Sequence, residues 1–144
     1  MRSAPYIETP KSLGEHLRKG RLELDLLQRD LAPQLNVSVW TYRNWENGRT
    51  TPGTLLYKRI VEFLGYYPYP APQTLGHRLR KIRRCLGLTS QRAAQMAEVD
   101  QGTFLMWECD RWTPTVRTRA KVDPFLARFE QGLPADDPPV PSRG

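Results

Sequence analysis

An all-α chain in which one small helical unit is used twice is the fold class this sequence predicts. Three observations predict it: a repeat at fixed offset, apolar residues at helical spacing within each copy, and capping or terminating residues between the apolar runs. The pattern spans roughly 50 residues and returns 62 positions later without a gap, so that Leu13-Gly14, Trp45-Glu46 and Thr51-Pro52 recur as Leu75-Gly76, Trp107-Glu108 and Thr113-Pro114. About a third of the aligned positions are identical, including Leu17-Arg18-Lys19 with Leu79-Arg80-Lys81 and Phe63-Leu64 with Phe125-Leu126. Self-similarity at a fixed period signals one unit duplicated and not a single larger domain. Length alone, 144 residues, favours one domain; each copy nevertheless has about the length of the smallest units that fold through a single core.

In the first copy, Ser12-Leu13-Gly14-Glu15 reads as a capping box opening a helix whose apolar positions Leu13, Leu17 and Leu24 fall near helical spacing, running to about Glu23. A second short helix begins near Gln28, turns Leu31, Ala32 and Leu35 inward and stops at Asn36, which tolerates the left-handed conformation of a tight turn. Ser38 caps a third helix, Val39 to about Asn47, that buries Tyr42 and Trp45 and ends at Gly48. Pro52 and Thr54 open a fourth, with Leu56, Ile60, Phe63 and Leu64 on its apolar side.

The second copy follows the same plan. Thr74 and Thr89 cap its first two helices, Asp100 stands for Ser38, and Phe104 and Trp107 stand for Tyr42 and Trp45. Between the copies, Tyr66-Tyr67-Pro68-Tyr69-Pro70-Ala71-Pro72 is too proline-rich for helix and should be extended chain, its three tyrosines packed on a domain surface. The predicted organisation is an N-terminal arm at 1–11, a first domain at 12–65, a linker at 66–73, a second, more divergent domain at 74–130 and a disordered tail at 131–144, where prolines and acidic residues leave little to bury.

The formal charge of +7 and a pI near 9.8 favour nucleic acid or another polyanion as partner. Both halves are basic: residues 1–73 carry ten Lys/Arg against seven Asp/Glu, and residues 74–144 twelve against eight. No apolar run is long enough to cross a bilayer and Met1 to Ser12 lacks the apolar stretch of a signal peptide, so a soluble cytoplasmic protein, associated with the nucleoid, is expected. Cys85 and Cys109 form no CxxC and read as reduced, structural thiols. His16 and His77 lie among charged residues and are expected on the solvated surface. There is no Gly-rich phosphate loop, metal-ligand cluster or Ser/His/Asp or Cys/His arrangement; no enzyme, metal or cofactor is expected.

Gln28-Arg29-Asp30-Leu31-Ala32, Asn36-Val37-Ser38 and Asn44-Trp45-Glu46-Asn47-Gly48-Arg49, followed by Pro52, resemble the phage-repressor and Cro family (Xre-like) of bacterial or phage helix-turn-helix DNA-binding proteins. The resemblance covers about positions 12 to 65 and implies two tandem lambda-repressor-like domains of four to five short helices each. The second copy matches through Leu88-Thr89, Ala94, Val99, Trp107-Glu108 and Arg111, but Glu98 and Asp110 stand where the family places Gly, which suggests a strained or altered turn.

The motif works because the major groove of B-DNA, about 12 Å wide, admits one helix, and only its edge pattern distinguishes all four base pairs. With Tyr42 and Trp45 inward, the outward positions of the third helix are Val39, Trp40, Arg43 and Asn44: Arg43 suits guanine, Asn44 adenine, and Val39 and Trp40 thymine methyls. The resemblance places Gln28, Arg49, Thr50 and Thr51 on phosphates, which fix register without reading sequence. In the second copy only Gln101 suits a base. Arg80 and Arg83, in the run Arg78, Arg80, Lys81, Arg83, Arg84, together with Arg111, are its candidate phosphate contacts. Leu105 and Met106 on its outward face suit a protein contact.

The function these residues imply is a sequence-specific regulator of transcription, a repressor in the first instance, that engages double-stranded DNA through two linked domains and can dimerise further. Half-sites of such proteins lie about 34 Å apart, and the segment from about Gly65 to Gln73 reaches on the order of 28 Å extended. The alternative is an antitoxin-like or adaptor protein in which the first copy holds DNA and the second a protein. An Arg-Asn pair on a helix is also ordinary surface, and basic charge alone supports a DNA-coating role. Glu46 and Glu108 read as capping or bridging groups within the domains.

Overall fold

The computed structural model describes residues 9–136, and every regular element in that span is helical. Ser12 Oγ accepts from Glu15 N (3.2 Å) to start α1 (Leu13–Glu23). The Glu15 carboxylate reaches back to Lys11 N (2.8 Å), one residue earlier than a capping box requires. α2 (Gln28–Gln34) opens where Asp30 accepts from Leu27 N (2.8 Å), and Ser38 caps α3 (Val39–Glu46). The expected fourth helix begins as a single 3-10 turn, Thr54–Leu56, and becomes α4 only at Tyr57–Leu64. The second half repeats the order with α5 (Leu75–Leu86), α6 (Ser90–Ala97), α7 (Gln101–Glu108) and a longer α8 (Val116–Phe129), capped by Thr74, Thr89, Asp100 and Thr115.

Each half has its own core. Leu17, Leu31, Ala32, Tyr42, Trp45 and Ile60 close the first, and Leu79, Ile82, Ala94, Phe104, Trp107 and Phe125 the second. Within each, the start of the first helix presses on the end of the third, and a glycine is needed there. A Cβ on Gly14 would lie 2.5 Å from the Trp45 carbonyl oxygen and 2.6 Å from that of Glu46, and one on Gly76 would overlap the Glu108 carbonyl.

Glu98 and Asp110 both adopt left-handed backbone, at φ 61° and 58°. The turns therefore keep the shape they have at Asn36 and Gly48 (φ 63° and 76°), and what differs is how each residue is compensated. Asp110 accepts from Gly76 N (2.9 Å) and Thr74 Oγ1 (2.8 Å), so its carboxylate caps α5. Glu98 has an exposed side chain, and its backbone alone is engaged, the N–H by Gln95 O (3.1 Å) and the carbonyl by Lys121 Nζ (2.9 Å). Since a left-handed non-glycine residue costs about 1–2 kcal/mol, Glu98→Gly should stabilise the protein by about 1 kcal/mol. Asp110→Gly should destabilise it by about 1 kcal/mol, because hydrogen bonds to a charged group are worth about 1.5–3 kcal/mol each. Urea unfolding of the two variants measures both signs.

The halves are joined face to face. α4 and the 3-10 turn pack against α5, with Val61, Tyr67 and Cys85 buried between them. The linker tyrosines are packed as expected, and Tyr67 and Pro68 are buried. The 66–73 segment is thus a wall of the joint and not a free spacer whose reach sets the separation of the halves. Residues 131–136, expected to be disordered, are held instead: Ala135 O accepts from Tyr67 N (2.7 Å), and Asp136 pairs with Lys81 Nζ (2.5 Å). Two well-placed partners in the joint supply what composition could not reveal. Residues 1–8 of the expected arm and 137–144 of the expected tail lie outside the described residues.

Candidate nucleic-acid interface

The third helix is held from below by a carboxylate. Glu46, at the end of α3, accepts from Arg21 Nε (2.7 Å) and Nη2 (3.1 Å), from Tyr42 Oη (2.5 Å) and from Gln28 Nε2 (3.1 Å). Arg21 also donates to Leu26 O (2.9 Å), which ties the loop before α2 into the same network. Burial pushes the Glu46 carboxyl up, but the three donors outweigh it and hold the group below the ordinary glutamate range. Burial together with the bond to Glu46 pushes the Tyr42 phenol well above its ordinary value.

The network reaches the surface through Gln28, whose Oε1 accepts from Arg43 Nε (3.3 Å) while its Nε2 is committed to Glu46. Gln28 is therefore a strut that aims Arg43. Beside Arg43 stand Trp40, 71% exposed, and the half-buried Val39. Arg49, Thr50 and Thr51 follow on the exposed chain after α3. A tryptophan this exposed contributes little to the core, so Trp40→Ala should leave the unfolding free energy within about 0.5 kcal/mol of the parent.

Asn44 does not belong to this face. It is only 6% exposed, because the chain leaving α3 folds back over it and Arg49 N and Thr50 N bond to its carbonyl (2.9 and 3.5 Å). The same return at Met106, whose carbonyl accepts from Arg111 N and Trp112 N (2.9 and 3.3 Å), leaves Met106 half-buried and Leu105 exposed.

In the second half, Arg83 occupies the place of Arg21 and binds Glu108 through Nε (2.7 Å) and Nη2 (2.8 Å), with its side chain only 11% exposed. It is an internal strut and not a phosphate ligand. Most of the basic run on α5 is similarly engaged: Arg78 with Glu130, Lys81 with Asp136, and Arg84 with tyrosine rings. Arg80 is half-exposed at 3.9 Å from Glu108, and Arg111 is exposed. Gln101 is exposed and donates to Ser90 Oγ (2.8 Å), the position equivalent to Gln28.

His16, expected on the solvated surface, is buried with Nδ1 2.7 Å from Tyr66 Oη; His77 is exposed. Both cysteines are free thiols, Cys85 buried in the joint with its pKa pushed up to about 11 by burial, Cys109 exposed. Among the described residues no cluster of His, Cys, Asp or Glu is arranged to hold a metal, and no helix is long and apolar enough to cross a membrane.

A short helix aimed outward by a buried carboxylate, with its partner helix packed behind it, is the arrangement by which a two-helix unit presents side chains to a groove. Residues 17–69 match the helix-turn-helix family model. The helix-turn-helix segment thus takes in most of α1, all of α2 to α4 and the three tyrosines of the linker, and it supports DNA-binding regulation as the general function class. The match does not extend to α5 to α8. No curated protein and no solved structure matches the chain significantly. Sequence reading did not pair Arg21 with Glu46, although both recur at the same offset as Arg83 and Glu108, and that joint recurrence was the signal.

Proposed function

We propose that the chain is a sequence-specific regulator of transcription, acting as a repressor on double-stranded DNA, in which the helix-turn-helix segment reads bases and α5 to α8 form a second, divergent unit of the same kind. The observation that carries this is the outward pair Trp40 and Arg43 on α3, with Arg43 aimed through Gln28 by the buried Glu46. Arg43 suits a guanine edge and Trp40 and Val39 thymine methyls; Arg49, Thr50 and Thr51 lie where phosphates would be gripped. The second unit has the same internal strut but a poorer reading face, with Gln101 as its base contact and Arg80 and Arg111 as its phosphate contacts.

The joint argues for the symmetry of the target. A two-fold axis requires the same surface on both sides, whereas here α4 of one unit meets α5, the first helix of the other. Two readers joined head to tail match an asymmetric site or a direct repeat, not a palindrome. A footprint on DNA upstream of the protein's own gene, with random duplex as competitor, should protect one discrete asymmetric stretch and survive about a thousandfold excess of random DNA. A dyad-symmetric footprint from a single chain overturns the arrangement, and diffuse protection that random DNA removes overturns the regulator.

A second reading draws on Leu105, Trp112 and Val116, which are 38%, 54% and 92% exposed in the second unit. On it the second unit binds a protein while the first holds DNA, as in an antitoxin or adaptor. A co-purifying partner lost on Leu105→Asp, with DNA affinity retained, selects this reading.

A further inference from the structure

A cavity of about 370 Å³ lies between the linker and α5, lined by Tyr67, Tyr69, Pro72, His77, Arg80 and Arg84. That volume falls within the range of small-molecule sites, which run from about 300 to 1,000 Å³. Tyrosine and proline rings of the linker are among its lining groups.

The charge in the cavity is out of balance. α5 carries five cations, and four of them meet a carboxylate: Arg78 meets Glu130 (2.6 Å), Lys81 meets Asp136 (2.5 Å), Arg83 meets Glu108 (2.7 Å) and Arg80 stands 3.9 Å from Glu108. Arg84 meets none among the described residues. Its guanidinium lies 4.3 Å from the centre of the Tyr57 ring and 4.9 Å from that of Tyr69, and its hydrogen bond goes to Tyr67 Oη (3.2 Å). Arg80 is at a Coulombic distance only, too long for a hydrogen bond, and the hydrogen bonds to the Glu108 carboxylate come from Arg83. Two guanidiniums with unfilled donors and the imidazole of His77 therefore line one apolar-walled cavity. A partly buried cation without a counter-charge, as Arg84 is, is costly, and a planar guanidinium fork matches a carboxylate with two parallel hydrogen bonds.

We propose that this cavity binds a small planar aromatic carboxylate, its carboxylate held by Arg80 and Arg84 and its ring laid between Tyr69 and Pro72. The apolar walls favour an anion with an apolar body over bare phosphate. Tyr69 is bonded to Tyr57 of α4 (2.8 Å), so an occupant touches groups anchored in both halves and is placed to bias how they sit. The site itself stands on α5 and the linker, whether or not DNA is the partner.

Calorimetric titration of the full chain with naphthoate, its neutral amide and inorganic phosphate tests the proposal. Naphthoate should bind one to one with a Kd on the order of 1 mM or tighter, and the amide and phosphate should each bind at least about tenfold more weakly. Arg80→Gln, which leaves the joint intact, should weaken naphthoate about tenfold without moving the unfolding midpoint; Arg84→Lys, which keeps the charge on the rings but loses the fork, should weaken it similarly. Absence of saturable naphthoate binding, equal affinity for acid and amide, or unchanged affinity in Arg80→Gln each overturns the site. A protein that passes this titration but leaves no discrete footprint has the ligand site without the DNA function proposed above.

Discussion

Replacing Glu46 with alanine should destabilise the first unit by about 3–5 kcal/mol, the usual cost of removing one partner from a buried ion pair. The Arg21 and Glu46 side chains are only 11% and 5% exposed, and the substitution strips Arg21, Tyr42 and Gln28 of a shared acceptor in one step. Urea titration should show the unfolding midpoint lowered by about 2 M, given a slope of about 2 kcal/mol per molar. Glu108→Ala should cost less. Phe104 replaces Tyr42 and Ser90 replaces Gln28 in the second unit, so the loss leaves chiefly Arg83 without its acceptor. Removing Asp123, which pairs with Arg119 on the surface with both side chains about 60% exposed, should change stability by less than about 0.5 kcal/mol.

The same network makes stability depend on acid. The folded Glu46 carboxyl binds its proton more weakly than the unfolded one, because the donors from Arg21, Tyr42 and Gln28 outweigh the effect of burial. Its contribution is therefore complete above the unfolded value, about 4.3, and is lost as pH falls through the lowered folded value. Glu46→Gln lacks that dependence, so the stability gap between parent and variant should close as pH falls through this window. A gap independent of pH would take the charge out of the network.

What was legible in the sequence follows from range. Helix starts depend on residues three apart, and Ser12, Ser38, Thr74, Thr89 and Asp100 each cap the helix they were expected to cap. Local turn chemistry was half legible. The left-handed sites at Glu98 and Asp110 were marked by missing glycines, but the bonds from Asp110 back to Thr74 and Gly76 span more than thirty residues and leave no local trace. The misplaced residues fall into two groups. Asn44 sits outward on a helical wheel and is covered by the chain that leaves the helix, as Met106 is in part; Arg83 and His16 sit among charges and are taken inward by Glu108 and Tyr66. In the charge run on α5 that reads as a solvated or phosphate-binding face, Arg78, Lys81 and Arg83 are struts that hold the second half and the joint together.

That reassignment separates the cations that touch DNA, on the function proposed here, from those that hold the protein. Arg43→Ala should cost about 1–3 kcal/mol on the specific site and leave affinity for random duplex almost unchanged, because a bidentate contact to a base edge is lost only where that base is present. Arg49→Ala should weaken specific and random DNA alike and reduce the salt slope by about one, since one phosphate is no longer neutralised. Gln28→Ala tests the strut: it removes the acceptor that aims Arg43, so part of the Arg43 discrimination should disappear although the arginine remains. Arg83→Ala should act through folding, lowering the unfolding midpoint because Glu108 loses its partner. Its DNA affinity, measured where the variant is still folded, should match the parent. Fluorescence anisotropy with specific and random duplexes at several salt concentrations distinguishes the four. Equal losses on both duplexes for Arg43 would remove it from base reading, and an affinity defect in fully folded Arg83→Ala would return that residue to the phosphate-binding set from which its bond to Glu108 now excludes it.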